Sequence, residues 1–342
     1  MDVPVIYGLT NDTSCPFRAS PDQIILQTSW ILRMNIIYCT FLSIGCVVGV
    51  GYCTRFMRKH PIFNESTTLL LYLALLFALI HDTAHVGLQW SLMYRSFVYA
   101  DDPCHIFFSS DDCVNSGRTL FFGISGLIYI HSALTLDGLI ATFLPSIYYK
   151  YHSWPGRVLA VLTILVNIFV QFLVLSGKET GDDYLPSCQF FKKQDAEKAN
   201  LWLMSSIILT ISNFLINLGL LYVNKMHSKR TRYDVQFQYQ RSEAIMTSKS
   251  ISVLVIAQIS ALGVYAGGSY LFRLVRESIP VSLYNNVVIW VYATSYATVT
   301  LPLLIIFCIK YVRRHRQRTI HHITNQVESQ EKRMNELKML WE

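Results

Sequence analysis

Seven apolar runs, each near or beyond the ~20 residues that a helix needs to cross a bilayer, constrain this chain more than anything else in it. They cover residues 28–54, 67–94, 114–143, 158–176, 200–224, 250–272 and 285–309. Lipid offers backbone N–H and C=O groups no partner, so runs of this length must close their hydrogen bonds internally as helices. They are too long, and alternate too little, to be the strands of a barrel. The expected fold is an all-α membrane protein, a bundle of seven transmembrane helices. Composition agrees, since 52% of the residues are hydrophobic and 15% charged, whereas soluble domains carry roughly 25% charged residues. The net charge of +7 sits between the apolar runs rather than along one surface. It reads as a topology signal, and nucleic-acid binding is not expected.

Orientation follows from where lysine and arginine fall, because positive loops stay in the cytoplasm. One set of loops holds Arg55, Arg58 and Lys59, then Lys150 and Arg157, then Lys225, Lys229, Arg230, Arg232, Arg241 and Lys249. The C-terminal stretch adds Lys310, Arg313, Arg314, Arg316 and Arg318. The opposite set is richer in acid, with Asp101, Asp102, Asp111 and Asp112 in one loop and Glu179, Asp182, Asp183, Asp195 and Glu197 in another, where Lys178, Lys192, Lys193 and Lys198 nearly balance them. The expected organisation is an extracellular segment at 1–27, a membrane domain at 28–311 and a cytoplasmic tail at 312–342, in a multi-pass protein of the plasma membrane. Met1 to Thr28 has no continuous apolar core, so the first run is expected to serve as its own anchor.

Eight cysteines show neither CxxC nor Cys/His ligand spacing, and a zinc module is not expected. Cys39, Cys46, Cys53 and Cys308 fall inside apolar runs and read as reduced packing residues. Cys15, Cys104, Cys113 and Cys188 lie on the outer side, where synthesis exposes them to an oxidising lumen. Four cysteines allow three pairings, which composition and position leave open. Asn11-Asp12-Thr13 is an outer glycosylation acceptor, whereas Asn64-Glu65-Ser66 has the pattern on the inner side.

Ionisable residues inside a span are costly and are candidates for function. The second run holds His81, Asp82 and His85, the histidines at i and i+4 on one helical face. The third contributes His131. Counted from the inner ends of the two runs, His81 and His131 fall at similar depths, roughly 21 and 18 Å, so they are expected to meet inside the bundle. Three readings compete: an interhelical hydrogen-bond network, an ion-binding or protonation switch, and an intramembrane metal-dependent hydrolase using His81, His85 and His131. No glycine-rich phosphate loop, nucleophile elbow or HExxH motif occurs, and residues 278–309 contain no lysine for a retinal Schiff base. A non-enzyme without cofactor or resident metal is expected.

The order of local motifs resembles the nematode serpentine receptor class alpha chemoreceptors. The matching pieces are Leu136 to Pro145 (LDGLIATFLP) with Tyr148 and Tyr149, then Leu185 to Cys188 (LPSC), then Gln238 to Ala244 (QYQRSEA), and Leu301-Pro302-Leu303 late in the seventh run. The stretch from Cys113 to Tyr149 also resembles the third helix of rhodopsin-like receptors, with Gly138 standing where those have an arginine after the acid. The resemblance implies rhodopsin-like architecture in a G-protein-coupled chemosensory receptor on sensory-neuron cilia, an odorant as small-molecule ligand, and a heterotrimeric G protein as partner. It implies a Cys113–Cys188 disulfide, which leaves Cys15 with Cys104. The implied ligand pocket lies among the outer halves of the helices, with Phe121, Phe122, Ser125, Tyr265, Tyr270, Asn286, Trp290 and Tyr292 as candidates. Asp137, Tyr148, Lys150, Arg230, Arg232 and Arg241 are the residues expected to face the G protein. A transporter or channel is the alternative, and it would show broken helices and paired repeats.

Two expectations concern the inner side. Asp137 lacks a neighbouring arginine, so its partner is expected from the second inner loop, either Lys150 or Arg157 as a cation or Tyr148 or Tyr149 as a hydroxyl donor. In the tail, Ile320, Ile323, Val327, Met334, Leu337 and Trp341 recur at three- and four-residue steps with Gln330 between. This predicts an amphipathic helix that either lies on lipids of the inner leaflet or forms a coiled-coil seam through which the chain oligomerises.

Overall fold

A computed structural model describes residue 19 and residues 21–102, 104–144, 148, 151, 153–175, 184–185, 187–188, 193–230, 249, 251–258, 260–261, 263, 278, 290 and 295–341. A short helix α1 (Pro21–Gln27) precedes six long ones: α2 (Trp30–Lys59), α3 (Glu65–Val98), α4 (Ser110–Phe143), α5 (Trp154–Val174), α6 (Lys193–Arg230) and α7 (Ser295–Trp341). All six are long and apolar enough to cross a membrane. They carry the first five runs and the seventh. The sixth run is represented by helical residues 251–258. The protein is an all-α, serpentine membrane bundle.

Local chemistry sets the helix ends. The Ser29 side chain accepts from the Leu32 amide at 3.3 Å, Asn64 from Glu65 at 2.7 Å, and Ser109 from Asp111 at 3.2 Å, each supplying an acceptor for an otherwise orphaned N–H. Asp111 and Asp112 occupy the first turn of α4, where the helix dipole favours negative charge. α2 stops at His60, the residue before Pro61, and α5 opens with Pro155 in its first turn, as proline geometry requires.

α4 is the axis of the bundle, packing on α3, α5 and α6, while α7 packs on α2 and α3. The main core joins Leu70, Leu71, Ala74 and Phe77 of α3 to Leu127, Ile130 and Leu134 of α4 and to Leu301, Ile305 and Ile309 of α7. Two glycines allow these approaches. A Cβ on Gly123 would stand 2.6 Å from the His81 Cα, and one on Gly156 would stand 2.6 Å from the Ser66 Cα. Cys39, Cys46, Cys53 and Cys308 are thiols outside any disulfide, buried among the helices.

At the outer end, strand β1 (Phe108–Ser109) pairs antiparallel with β2 (Tyr184–Leu185). Beside them Cys113 and Cys188 form a disulfide. This is the bridge that the resemblance implies, and it ties the loop after α5 to the first turn of α4. Cys104 is disulfide-bonded as well, while Cys15, the partner expected for it, lies outside the described residues, as does Asn11. Arg95, in the last turn of α3, donates to the carbonyls of His105 and Phe107, approaches Asp112 at 3.4 Å and lies 4.1 Å over the Phe108 ring. One side chain thus holds three parts of the outer surface together.

The tail is helical and continuous with the last span. α7 runs for 47 residues without interruption from the last span to Trp341. The reason is in the composition: residues 303–341 contain neither glycine nor proline, and a sharp turn at the membrane surface would need one of the known helix breakers.

Candidate functional site

The inner end of the bundle is organised by Asp137. Its carboxylate accepts from Ser66 Oγ at 2.5 Å, from Thr67 Oγ1 at 2.6 Å and from Tyr148 Oη at 3.1 Å. Both oxygens are satisfied, and the residue is 1% exposed. Ser66 and Thr67 belong to the first turn of α3, where unpaired backbone N–H groups create a positive end. Tyr148 comes from the chain beyond α4. Burial, and after it the charge of Asp137, push the Tyr148 phenol above its ordinary pKa. Of the expected partners, Tyr148 is the one that the carboxylate meets, and no lysine or arginine among the described residues pairs with Asp137. Arg157 is not a partner, and Lys150 and Tyr149 lie outside the described residues. Hydroxyls replace the cation because α3 reaches Asp137 with its first turn, which no count along α4 alone reveals. Gly138 faces α6, where a Cβ would stand 3.5 Å from Leu220.

A second polar group lies midway along α3. His81, Asp82 and His85 are all buried and point to neighbouring helices. The His81 Nδ1 is 3.2 Å from the Leu120 carbonyl of α4. Thr298 of α7 donates to Asp82 Oδ1 at 3.3 Å, and Ser295 Oγ lies 3.2 Å from the His85 Nδ1. Gln89 continues the line one turn outward, 3.4 Å from His85. Asp82 Oδ2, Gln89 Oε1 and the Asn35 Nδ2 of α2 are buried without a hydrogen-bond partner among the described residues.

His131 does not join this group. Its Nδ1 meets the Leu127 carbonyl of its own helix at 2.5 Å, and its Nε2 is buried without a partner among the described residues. The depth expected from the run ends is corrected by the Asp137 contacts, which set Ser66 level with Asp137 rather than with Phe143. His81 is fifteen residues from Ser66 and His131 six from Asp137, so the two differ in height by roughly 13 Å. Accordingly, no three His, Cys, Asp or Glu side chains among the described residues are grouped to hold a metal ion, and the constellation expected of a hydrolase is not assembled.

Asparagines supply contacts that the sequence reading missed. On α6, Asn213 donates to Ser132 at 2.8 Å, Asn217 to Thr135 at 2.8 Å and Asn224 to Thr142 at 3.3 Å. Ser252 donates to Asn217 Oδ1 at 3.2 Å, and Asn167 of α5 donates to the Phe122 carbonyl at 2.9 Å. Uncharged amides inside apolar runs were the available signal, because each must find a partner once lipid surrounds the bundle.

Of the expected pocket residues, Phe121 stacks on Trp202 with ring centres 4.6 Å apart, and Phe122 meets Phe77 at 5.5 Å. Ser125 is enclosed, its hydroxyl 2.6 Å from the Phe121 carbonyl and 2.5 Å from Asn167 Oδ1. Trp290 packs on Tyr38 at 5.6 Å. Tyr265, Tyr270, Asn286 and Tyr292 lie outside the described residues, as do Arg232, Arg241 and the Arg230 side chain. An open groove of ≈ 870 Å³ runs between the outer halves of α3 and α4, with Gly87 and Trp90 on one wall and Ser116 and Thr119 on the other.

Comparison with known proteins gives the family. Residues 11–341 match the family described as the serpentine type 7TM GPCR chemoreceptor Sra. The chain is 36% identical over 333 residues to serpentine receptor class alpha-10 of Caenorhabditis elegans, covering 97% of this chain and 98% of that one. It is 36% identical over 323 residues to the Caenorhabditis briggsae protein of the same name, covering 94% and 97%. Serpentine receptor class alpha-12 of Caenorhabditis elegans is 31% identical over 324 residues, covering 94% and 99%. The chain therefore belongs to the Sra family of serpentine seven-transmembrane chemoreceptors.

Proposed function

We infer that this protein binds a small chemical ligand from the outer side of the plasma membrane and signals through its inner surface to a heterotrimeric G protein. The observation that carries the reading is family membership over nearly the whole length, residues 11–341. The distribution of charge supports an outer N-terminus and an inner tail. By the same membership the protein serves chemical sensing, with sensory-neuron cilia as its site. Lys150, Arg230, Arg232 and Arg241 form the surface toward the G protein, with Asp137 and Tyr148 buried behind it, and Phe121, Phe122, Ser125, Tyr265, Tyr270, Asn286, Trp290 and Tyr292 frame the ligand side. The intramembrane group of His81, Asp82 and His85 links α3 to α4 and α7, so a ligand that shifts α7 is felt there.

The test is an odorant screen on cells expressing the chain, recording calcium and membrane current together. A calcium response abolished by G-protein blockade, without a ligand-gated current, supports the reading. A current that survives the blockade makes the protein a channel or transporter. At matched surface expression, neutralising Arg230 and Arg232 together lowers G-protein recruitment more than Asp137→Asn does. Unchanged recruitment by the arginine pair removes the assigned coupling surface.

A further inference from the structure

The groove between the outer halves of α3 and α4 stands apart from the expected pocket residues. Phe121 turns to Trp202 of α6, whereas Thr119, two residues earlier and so on nearly the opposite face of α4, lines the groove. Its ≈ 870 Å³ is within the range of sites that hold a small organic molecule. The two helices run antiparallel, and the 3.4 Å contact of Arg95 with Asp112 sets Gly87 roughly level with Thr119. From Gly87 to Arg95 the groove is therefore about 12 Å long. Trp90, Ser91 and Tyr94 on α3 and Thr119 on α4 are exposed within segments apolar enough to span the bilayer, so the mouth opens sideways into the outer leaflet.

A glycine keeps that mouth clear. A Cβ on Gly87 would meet nothing within 4 Å, whereas one on Gly123 or Gly156 would strike the neighbouring helix. Packing does not require glycine at position 87, although glycine weakens a helix relative to alanine. What its absence of a side chain does provide is open space in the groove.

The polar lining sets what fits there. Ser91 donates to the Gly87 carbonyl at 3.0 Å, Ser116 to Cys113 at 3.4 Å and Thr119 to Asn115 at 2.9 Å. Each hydroxyl has its proton committed to its own helix and turns only lone pairs to the groove, where nothing among the described residues donates to them. An occupant must bring the proton. The two charged residues of the lining, Arg95 and Asp112, face each other at the outer end, and the guanidinium also donates to the carbonyls of His105 and Phe107. Their charges cancel, so neither a carboxylate nor an ammonium group finds an uncompensated partner for the water it gives up.

We propose that this groove binds an uncharged amphiphile that carries a hydroxyl or amide N–H donor, an aliphatic alcohol in the simplest case. The inference rests on the receptor reading only for which side of the membrane is outer, and adds a binding site apart from the pocket expected around Phe121.

The test uses the purified full chain in nanodiscs of neutral lipid and photoreactive aliphatic diazirines of one chain length, ending in a hydroxyl, a methyl, a carboxylate or an ammonium group, with the label located by peptide mass spectrometry. The alcohol labels segments 84–99 and 112–119 at about tenfold lower concentration than each of the other three. Gly87→Phe fills the groove and reduces this labelling to background, and Thr119→Phe does so from the other wall. Ser91→Ala with Ser116→Ala and Thr119→Val keeps the apolar walls and brings the alcohol down to the level of the methyl-ended probe. Each variant is compared at an unchanged or raised melting temperature, as expected where an exposed helical glycine or hydroxyl is replaced. Equal labelling by all four probes would make the groove a place for bilayer acyl chains only and overturn the proposal. So would preferential labelling by either ion, or labelling that survives both filled grooves. Labelling is read without signalling: ligand-evoked recruitment by a chain that fails these tests sinks this inference alone, whereas a labelled groove in a chain that answers no ligand sinks the receptor reading alone.

Discussion

Two buried carboxylates lie in the same bundle under opposite conditions. Asp137 has both oxygens occupied, by hydroxyls from the first turn of α3 and from the chain beyond α4. Asp82 accepts from Thr298 at Oδ1 over 3.3 Å, Ser43, Cys46 and Ser295 lie close enough to contribute, and Oδ2 has no well-formed hydrogen bond among the described residues. The contrast separates two uses of polarity in lipid. A satisfied cluster locks elements together, because removing any member strands the others. A cluster with vacant hydrogen-bonding capacity is held in place by its surroundings and costs stability, as groups kept for function do.

The largest expected effect is at the satisfied cluster. Asp137→Ala leaves three buried hydroxyls without their acceptor and lowers stability by about 3 kcal/mol. Thermal unfolding of the purified chain, followed by labelling of the buried thiols Cys39, Cys46, Cys53 and Cys308, measures it. An unshifted melt would show that the contacts contribute nothing to the lock. Gly156→Val attacks the same place from α5, since its Cβ would stand 2.6 Å from Ser66. Overpacking there costs about 2 kcal/mol, and the loss shrinks when Asp137→Ala is already present, because both changes separate the same helices.

Asp82→Asn sharpens the comparison from the other side. The amide oxygen still accepts from Thr298 and no occupied bond is lost, so stability changes by less than about 1 kcal/mol while the ligand response changes. A loss as large as that of Asp137→Ala would erase the distinction between the clusters.

The smallest effect is at the outer rim. Asp102 Oδ1 accepts from the Cys104 amide at 2.9 Å, and Oδ2 lies 2.7 Å from the His105 Nδ1. These bonds hold the carboxyl below its usual range, the Cys104 amide first. A lowered folded value means that the contribution is complete above the ordinary carboxylate pKa, near 4, and is lost as pH falls through the lowered one. Hydrogen exchange of the Cys104 amide, corrected for its intrinsic rate, should therefore accelerate only in that acid window. In Asp102→Asn the corrected rate is flat across it.

Much of this was readable along the chain. Apolar runs of ~20 residues force helices because lipid satisfies no backbone group, and they also reveal His81, Asp82 and His85 as residues that must face protein. The depth of His131 was not readable in the same way. It depends on how far α3 slides along α4, and that register is set by Ser66 and Thr67 meeting Asp137 across about seventy residues of sequence. The asparagine contacts of α6 were visible as polar residues in an apolar run, but not their partners.

By itself the amino-acid sequence determined the membrane class, the number and order of the apolar runs and the seam of the tail. Each of these follows from period and length within one segment. Only tertiary structure decided which hydroxyls take the place of an arginine at Asp137 and that His131 stands apart from His81. Those outcomes depend on the axial register and rotation of one helix against another. In lipid these are set by close approach at glycines such as Gly123 and Gly156 and by a few interhelical hydrogen bonds, since the apolar surroundings favour no one rotation.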